Sequence, residues 1–238
     1  MIMPRRGRGV LAGYPHHIIQ RGPNKGAVFV HDEDCRFYLE NIKEWKEKLG
    51  CKIYASCLMT NHVHLVLDPG ENSESLSLLM KRRAGRKTRY INRLEKSRGT
   101  SWEGRYKSSP IQDDKYLHAC CRSVELNPVR AFITDRPEGY RWSSYRYKTG
   151  FAGCDRLDQD PLYRSMGSSE NDRQAKYKAW MRETIPEGEW KRIREAVQRG
   201  QLTGSRKFVD EVERRMKLRV EFRGPGRLRN KNKSVPLL

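Results

Sequence analysis

Asn61-His62-Val63-His64-Leu65-Val66-Leu67 is the stretch from which the rest of the chain can be read. Side chains of a strand alternate between its two faces. Val63, Leu65 and Leu67 therefore form one apolar row, and His62 and His64 emerge side by side on the opposite face. A strand this apolar belongs near the centre of a sheet, where two unpartnered imidazoles are costly to bury. A metal ion held by both rings would remove that cost, and so would ordinary hydrogen bonds. The H-x-H spacing alone admits either.

Outward from this strand, Lys52 to Leu58 reads as its hairpin partner across the short turn Met59-Thr60-Asn61. Before it, Asp32 is a candidate N-cap for a helix running to Leu49, with Tyr38, Ile42, Trp45 and Leu49 on one face and Gly50 as its stop. Tyr14 to Gln20 reads as the first strand, ended by the loop Arg21-Gly22-Pro23-Asn24-Lys25-Gly26. After the histidines, Ser73 to Arg98 reads as a long helix and Arg105 to Gln112 as a fourth strand. Asp113 and Asp114 then cap a helix from Lys115 to about Leu126.

The order strand, helix, strand, strand, helix, strand is that of the split βαβ, or ferredoxin-like, arrangement. The predicted class is α+β: an antiparallel sheet with helices on one face, one added helix, and a mainly helical C-terminal extension. Past about Gly150 polar and charged residues dominate, with helices expected near Asn171 to Glu183, Glu187 to Arg199 and Arg206 to Leu218. The expected division is a catalytic domain over 1–150, a helical DNA-binding extension over 151–222 and a basic, disordered tail over 223–238.

The 238 residues include 49 Lys and Arg against 29 Asp and Glu, a net charge of +20. Such an excess points to a polyanionic partner, since each neutralised phosphate releases condensed counterions. No stretch approaches the roughly 18 apolar residues of a spanning helix, so no membrane partner is expected. The six cysteines form no C-x-x-C pair, which argues against a zinc ribbon. Met1 to Gly9 is basic without a following apolar run, unlike a secretory signal. Free thiols in a reducing, cytoplasmic compartment are expected.

Tyr116 stands at the first turn of its helix, with Ala119 and Cys120 one turn on. A phenol there is either a packing residue or a covalent nucleophile. The long helix carries Lys81, Arg82, Arg83, Arg86, Lys87, Arg89 and Arg93, and Trp102, Arg105, Tyr106 and Lys107 follow. Cations track phosphates and exposed aromatics stack on unpaired bases. Tyr106 reads as packing. The candidate nucleic-acid contacts are Arg21, Arg82, Arg83, Arg86, Lys87, Trp102, Arg105 and Lys107, with Arg227 and Arg229 in the tail.

Taken in order, these segments resemble the single-tyrosine HUH transposases, and within them the REP-associated tyrosine transposases. Cys57-Leu58-Met59-Thr60-Asn61-His62-Val63-His64-Leu65-Val66 is similar to the HUH segment. His16-His17-Ile18-Ile19-Gln20-Arg21-Gly22 is similar to the first strand and its Arg-Gly exit. Lys115-Tyr116, followed by Val124-Glu125-Leu126-Asn127-Pro128-Val129-Arg130-Ala131, resembles the nucleophile helix and its end. Trp142-Ser143-Ser144-Tyr145 resembles the segment that closes the domain.

The resemblance implies that His62 and His64 bind Mg²⁺ or Mn²⁺ and that Tyr116 attacks the scissile phosphate. A 5′-phosphotyrosine adduct and a free 3′-OH would result, with no nucleotide cofactor. It further implies single-stranded hairpin DNA as partner, and a homodimer in some members. Related transposases place a third metal ligand, a Gln, four residues after the nucleophile; here Cys120 stands there. Water, His118, Cys120, Glu125 and Asn127 are the candidates for that role. Two further readings are a non-cutting DNA-binding relative and an RNA-binding sheet. A metallohydrolase barrel is set aside, because it needs about 250 residues of strand-helix repeats.

Overall fold

Four strands form one antiparallel sheet: β1 (His16–Arg21), β2 (Lys52–Met59), β3 (His62–Asp68) and β4 (Lys107–Pro110), in the order β2-β3-β1-β4. This is the ferredoxin-like order predicted from the sequence. The computed structural model describes residues 10–216, apart from 95, 97, 113, 154, 155 and 187. The tail with Arg227 and Arg229 lies outside the described residues.

Helices α1 (Asp32–Leu49) and α2 (Ser73–Leu94) cover one face of the sheet. Tyr38 and Ile42 of α1 and Leu76, Leu79 and Met80 of α2 meet Ile18, Val63, Leu65 and Leu67 in the main core. The apolar row read from the histidine strand is therefore core, as its alternation requires. The start of α1 differs from expectation. His31, not Asp32, is the N-cap, and Asp34 accepts the backbone N–H groups of Val30 and His31.

Gly22 shows why the first strand exits as it does. A Cβ there would sit 2.5 Å from the Gly26 carbonyl oxygen and 2.6 Å from the Val28 side chain. No other residue fits.

The other face of the sheet carries α3 (Asp114–Glu125), followed by the one-turn helices α4 (Asn127–Arg130), α5 (Tyr145–Lys148) and α6 (Pro161–Ser165). The extension continues through α7 (Glu170–Met181), α8 (Glu189–Arg199) and α9 (Arg206–Met216). Leu117, Cys120, Cys121 and Val124 of α3 pack with Ala55, Cys57 and Val66 of the sheet, and Ile193 of α8 joins them. Trp142–Ser144 lies antiparallel beside β2 through the Leu58–Trp142 and Ser144–Ser56 backbone bonds. On the opposite edge, Thr203 exchanges backbone bonds with Pro110 and Gln112. Both exposed sheet edges are thereby partly covered.

Three of the expected nucleic-acid contacts are corrected here. Arg83, Lys87 and Trp102 are buried in the main core. The cause is position on the helix: 76, 79, 80, 83 and 87 recur at helical spacing along the inner stripe of α2. Arg83 lies 4.4 Å from the Tyr38 ring centroid and 4.9 Å from that of Trp102, and donates to the Gln20 amide oxygen. Lys87 Nζ donates to Asp34 Oδ1 at 2.6 Å. Arg86 is half-buried and paired with Glu44, whereas Arg82 is exposed.

Removing one partner of a buried ion pair leaves the other charge uncompensated, which typically costs about 3–5 kcal/mol. Lys87→Met should therefore lower the unfolding free energy by about 3 kcal/mol in urea titrations. A loss under roughly 1 kcal/mol, the scale of a surface pair, would contradict a buried clamp between α1 and α2.

Candidate active site

The β1–β3 register builds the floor of the site. Ile19 lies opposite His64 and Arg21 opposite His62. Directly opposed residues share a face, so His17, Ile19, Arg21, His62 and His64 all point away from the main core. They floor a cavity of about 230 Å³ whose walls come from two sides. Ser123, Asn127, Arg130 and Ala131 form one wall, and Arg194, Val197 and Gln198 of α8 form the other. Among the described residues no carboxylate lines it.

The hydrogen bonds around the rings are consistent with one tautomer each. Asn127 Nδ2 contacts His64 Nε2 at 2.9 Å, and an amide nitrogen can only donate. His64 Nε2 therefore accepts, and the ring proton sits on Nδ1, which donates to His17 Nε2 at 3.0 Å. His62 Nδ1 donates to Asn61 Oδ1 at 2.5 Å. Both strand histidines thus carry the proton on Nδ1, with the Nε2 lone pair of His64 accepting from Asn127. That is the form in which imidazole binds a metal, with the second nitrogen oriented by a neighbour.

Electrostatics point the same way. Burial lowers His17 to about 4; burial and then the Arg21 charge lower His62 to about 4. His64 is held well below the usual range, first by burial and then by His17, His62, Arg130 and Arg21. All three rings are neutral at neutral pH. Arg130 is itself lowered by burial and by Arg194, and its guanidinium lies 4.3 Å from the Trp190 ring centroid. An arginine stays protonated regardless. The result is a set of neutral imidazoles surrounded by the fixed positive charges of Arg21 on the floor and Arg130 and Arg194 on the walls.

Of the candidate third ligands, Asn127 alone lines this cavity. The others are corrected. Glu125 is fully buried, accepting from Ser144 Oγ at 2.6 Å and from Tyr177 Oη at 2.6 Å, with Lys148 Nζ 3.5 Å away. It anchors the extension. His118 faces Asp160 and the Trp180 ring, and Cys120 lies inside the apolar packing under α3. Among the described residues no cluster of three or more His, Cys, Asp or Glu is arranged to hold a metal ion.

Tyr116 is half-buried and lines a separate cavity with Lys115, Ala119, Glu189, Ile193 and Ala196. Helix α8 stands between this cavity and the histidines, with Ile193 and Ala196 on the tyrosine side and Arg194 and Gln198 on the other. The predicted nucleophile and the histidine pair do not share one cavity in this conformation. Arg21, Arg105 and Lys107 line a second basic recess that continues from the histidine cavity through Ile19 and Gln198. Lys107 Nζ donates to Gln198 Oε1 at 2.7 Å.

Sequence reasoning passed over His17, Arg130, Arg194 and Gln198 as site residues. His17 had a local signal, since positions 17, 19 and 21 of one strand share a face. Nothing local marks Arg194 or Gln198.

Residues 12–125 match the family model for IS200-like transposases. No curated protein matches the chain. Among solved structures, one of a REP-associated tyrosine transposase bound to a REP hairpin aligns with a TM-score of 0.53 at 12% identity. The alignment covers 67% of this chain and 99% of that one, and it supports the fold. A transposase from Deinococcus radiodurans R1 aligns at 19% identity over 55% of this chain and 95% of that one, with a TM-score of 0.36, too low to bear on the argument. No described helix is long and apolar enough to cross a membrane.

Burial of histidines sets a pH dependence. His16, His17, His62 and His118 fall from 6.5 to about 4, each chiefly through burial. The unfolded chain binds protons on these rings below 6.5, and the folded protein only near 4. Stability is therefore full above about pH 6.5 and falls as the pH is lowered toward 4. Asp34 and Asp160 are depressed, so their contribution is lost only below the ordinary carboxylate range. Melting followed by circular dichroism should show Tm dropping at least about 5 °C between pH 7 and 5. A flat profile over that range would contradict the buried neutral rings.

Proposed function

We propose that this chain, carrying an IS200-like transposase domain over residues 12–125, cuts and rejoins single-stranded hairpin DNA of the REP-like palindromic type. The observation that carries this function is the pair of neutral imidazoles of that domain, set among Arg21, Arg130 and Arg194. A scissile phosphate fits such a cavity by charge, and Arg21, Arg130 and Arg194 would hold its oxygens. A hairpin-bound relative in fold supports a hairpin as substrate.

The donor set suits a divalent ion, Mg²⁺ or Mn²⁺. His62 and His64 would hold it through Nε2, once the Asn127 amide that now donates to His64 Nε2 turns over to offer its oxygen as the hard donor. Such an ion would polarise the phosphate and offset charge developing on its oxygens. Tyr116 Oη forms the new bond to phosphorus, the bond to the 3′ oxygen breaks, and a free 3′-OH leaves. The phosphotyrosine linkage conserves the energy of the broken bond, so the reverse attack by a 3′-OH rejoins the strand without a nucleotide cofactor. Because α3 packs on its own sheet, we assign nucleophile and histidines to one chain. Chemistry then requires α8 to shift relative to α3, so that Tyr116 reaches the histidine cavity.

That separation also favours a second reading, a DNA-binding relative that does not cut. End-labelled hairpin oligonucleotides with single-stranded flanks, run on denaturing gels, distinguish the two. We expect a protein–DNA adduct with Mn²⁺ that disappears with EDTA and with Tyr116→Phe. Tight binding without any adduct across metals and hairpins would favour the non-cutting relative. Arg194→Ala should weaken binding and reduce the salt dependence by about 0.7 of a unit slope. An unchanged slope would remove Arg194 from the phosphate site.

A further inference from the structure

Phe132 combines two unfavourable features. Its backbone lies at φ 55°, in the left-handed region that bulky side chains rarely enter, and its ring is 96% exposed. Both follow from its place at the end of α4. Phe132 N–H donates to the Val129 carbonyl at 3.0 Å and Ile133 N–H to the Pro128 carbonyl at 3.0 Å. This is the Schellman ending, whose left-handed residue is usually glycine. Glycine would relieve the backbone and remove the exposed ring together. Ile133, beside it, is 51% exposed. Strain of this kind concentrates where a ligand is held.

The position says which ligand. Phe132 directly follows Ala131, which lines the histidine cavity with Arg130, and α4 begins at Asn127, which touches His64. Phe132 is thus next along the chain to the lining of a cavity that carries three arginines and, among the described residues, no carboxylate. A protein partner would want a broader apolar surface. A polyanion with flat apolar faces matches an aromatic ring beside an arginine-lined cavity, and that is single-stranded DNA.

We propose that Phe132 is a base-stacking platform: an unpaired nucleotide whose phosphate enters the arginine cavity lays its base on the Phe132 ring. This rests on the DNA-binding part of the function proposed above and adds the residue that grips the unpaired flank. The stacking tolerates any base, because every base has a π-face. The protein reads the flank here by its being unpaired, not by its sequence.

The test uses full-length protein and a fluorescent hairpin carrying a single-stranded flank, titrated by anisotropy. Phe132→Gly and Phe132→Leu should each weaken binding about 5-fold or more, and Phe132→Tyr should bind as wild type does. The salt slope should stay the same in all three, since no charge is lost. Phe132→Gly should melt no lower than wild type, which separates weakened binding from misfolding. Replacing flank nucleotides one at a time by abasic sites should abolish the difference between wild type and Phe132→Gly at one position. If wild type binds the flanked hairpin and Phe132→Gly or Phe132→Leu binds it equally well, the stacking role is wrong and the DNA reading stands. If wild type binds no flanked hairpin at all, both are wrong.

Discussion

The register between β1 and β3 is the constraint on which the site depends. With Ile19 opposite His64 and Arg21 opposite His62, three imidazoles and one guanidinium share a face at the centre of the sheet. A slip of one residue would drive the histidines into the main core and turn Val63, Leu65 and Leu67 toward the cavity. The burial of those three residues against α1 and α2 prevents that slip. Buffering by hydrogen bonds makes the arrangement tolerable: His17, His64 and Asn127 form a chain in which each shared nitrogen has a defined role. The cost of burying imidazoles is met by keeping them neutral, and neutrality is also what a metal-binding pair requires.

The extension is part of the site, not an appendage to it. Helix α8 supplies one wall, bringing Arg194 and Gln198 over the strand histidines. It is held there from several sides. Ile193 and Val197 are buried, Arg122 pairs with Glu189 at 2.9 Å, and Thr203 is hydrogen-bonded onto the end of β4. Beneath α7, Glu125, Lys148, Asp160 and Tyr177 form a buried polar cluster that ties the end of α3 to the extension. The same packing that completes the arginine-lined cavity keeps Tyr116 in its own recess. If the proposed function holds, binding and cutting make opposing demands on the position of α8.

Much of the fold was legible because it is written in short-range periodicity. The alternation in 61–67 identified both faces of β3, and the run Tyr38, Ile42 identified the inner side of α1. The element order then implied the sheet. The site was only half legible. His62 and His64 are neighbours in sequence, so their pairing needed no tertiary knowledge. Arg83 and Lys87 were read by charge, although their spacing from Leu76, Leu79 and Met80 already placed them on the buried stripe of α2. Glu125 could not be told from a ligand, because its partners Ser144 and Tyr177 come from later segments. Arg194 reaches the cavity only through the packing of α8 against β1 and β4, and no local pattern records that contact.

The most direct test is diffraction from crystals of Tyr116→Phe grown with Mn²⁺ and a flanked hairpin, with data collected at the manganese edge. The account predicts an anomalous peak against His62 and His64 and a flank phosphate among Arg21, Arg130 and Arg194. Hairpin bound on another face, with no manganese at the two histidines, would contradict it.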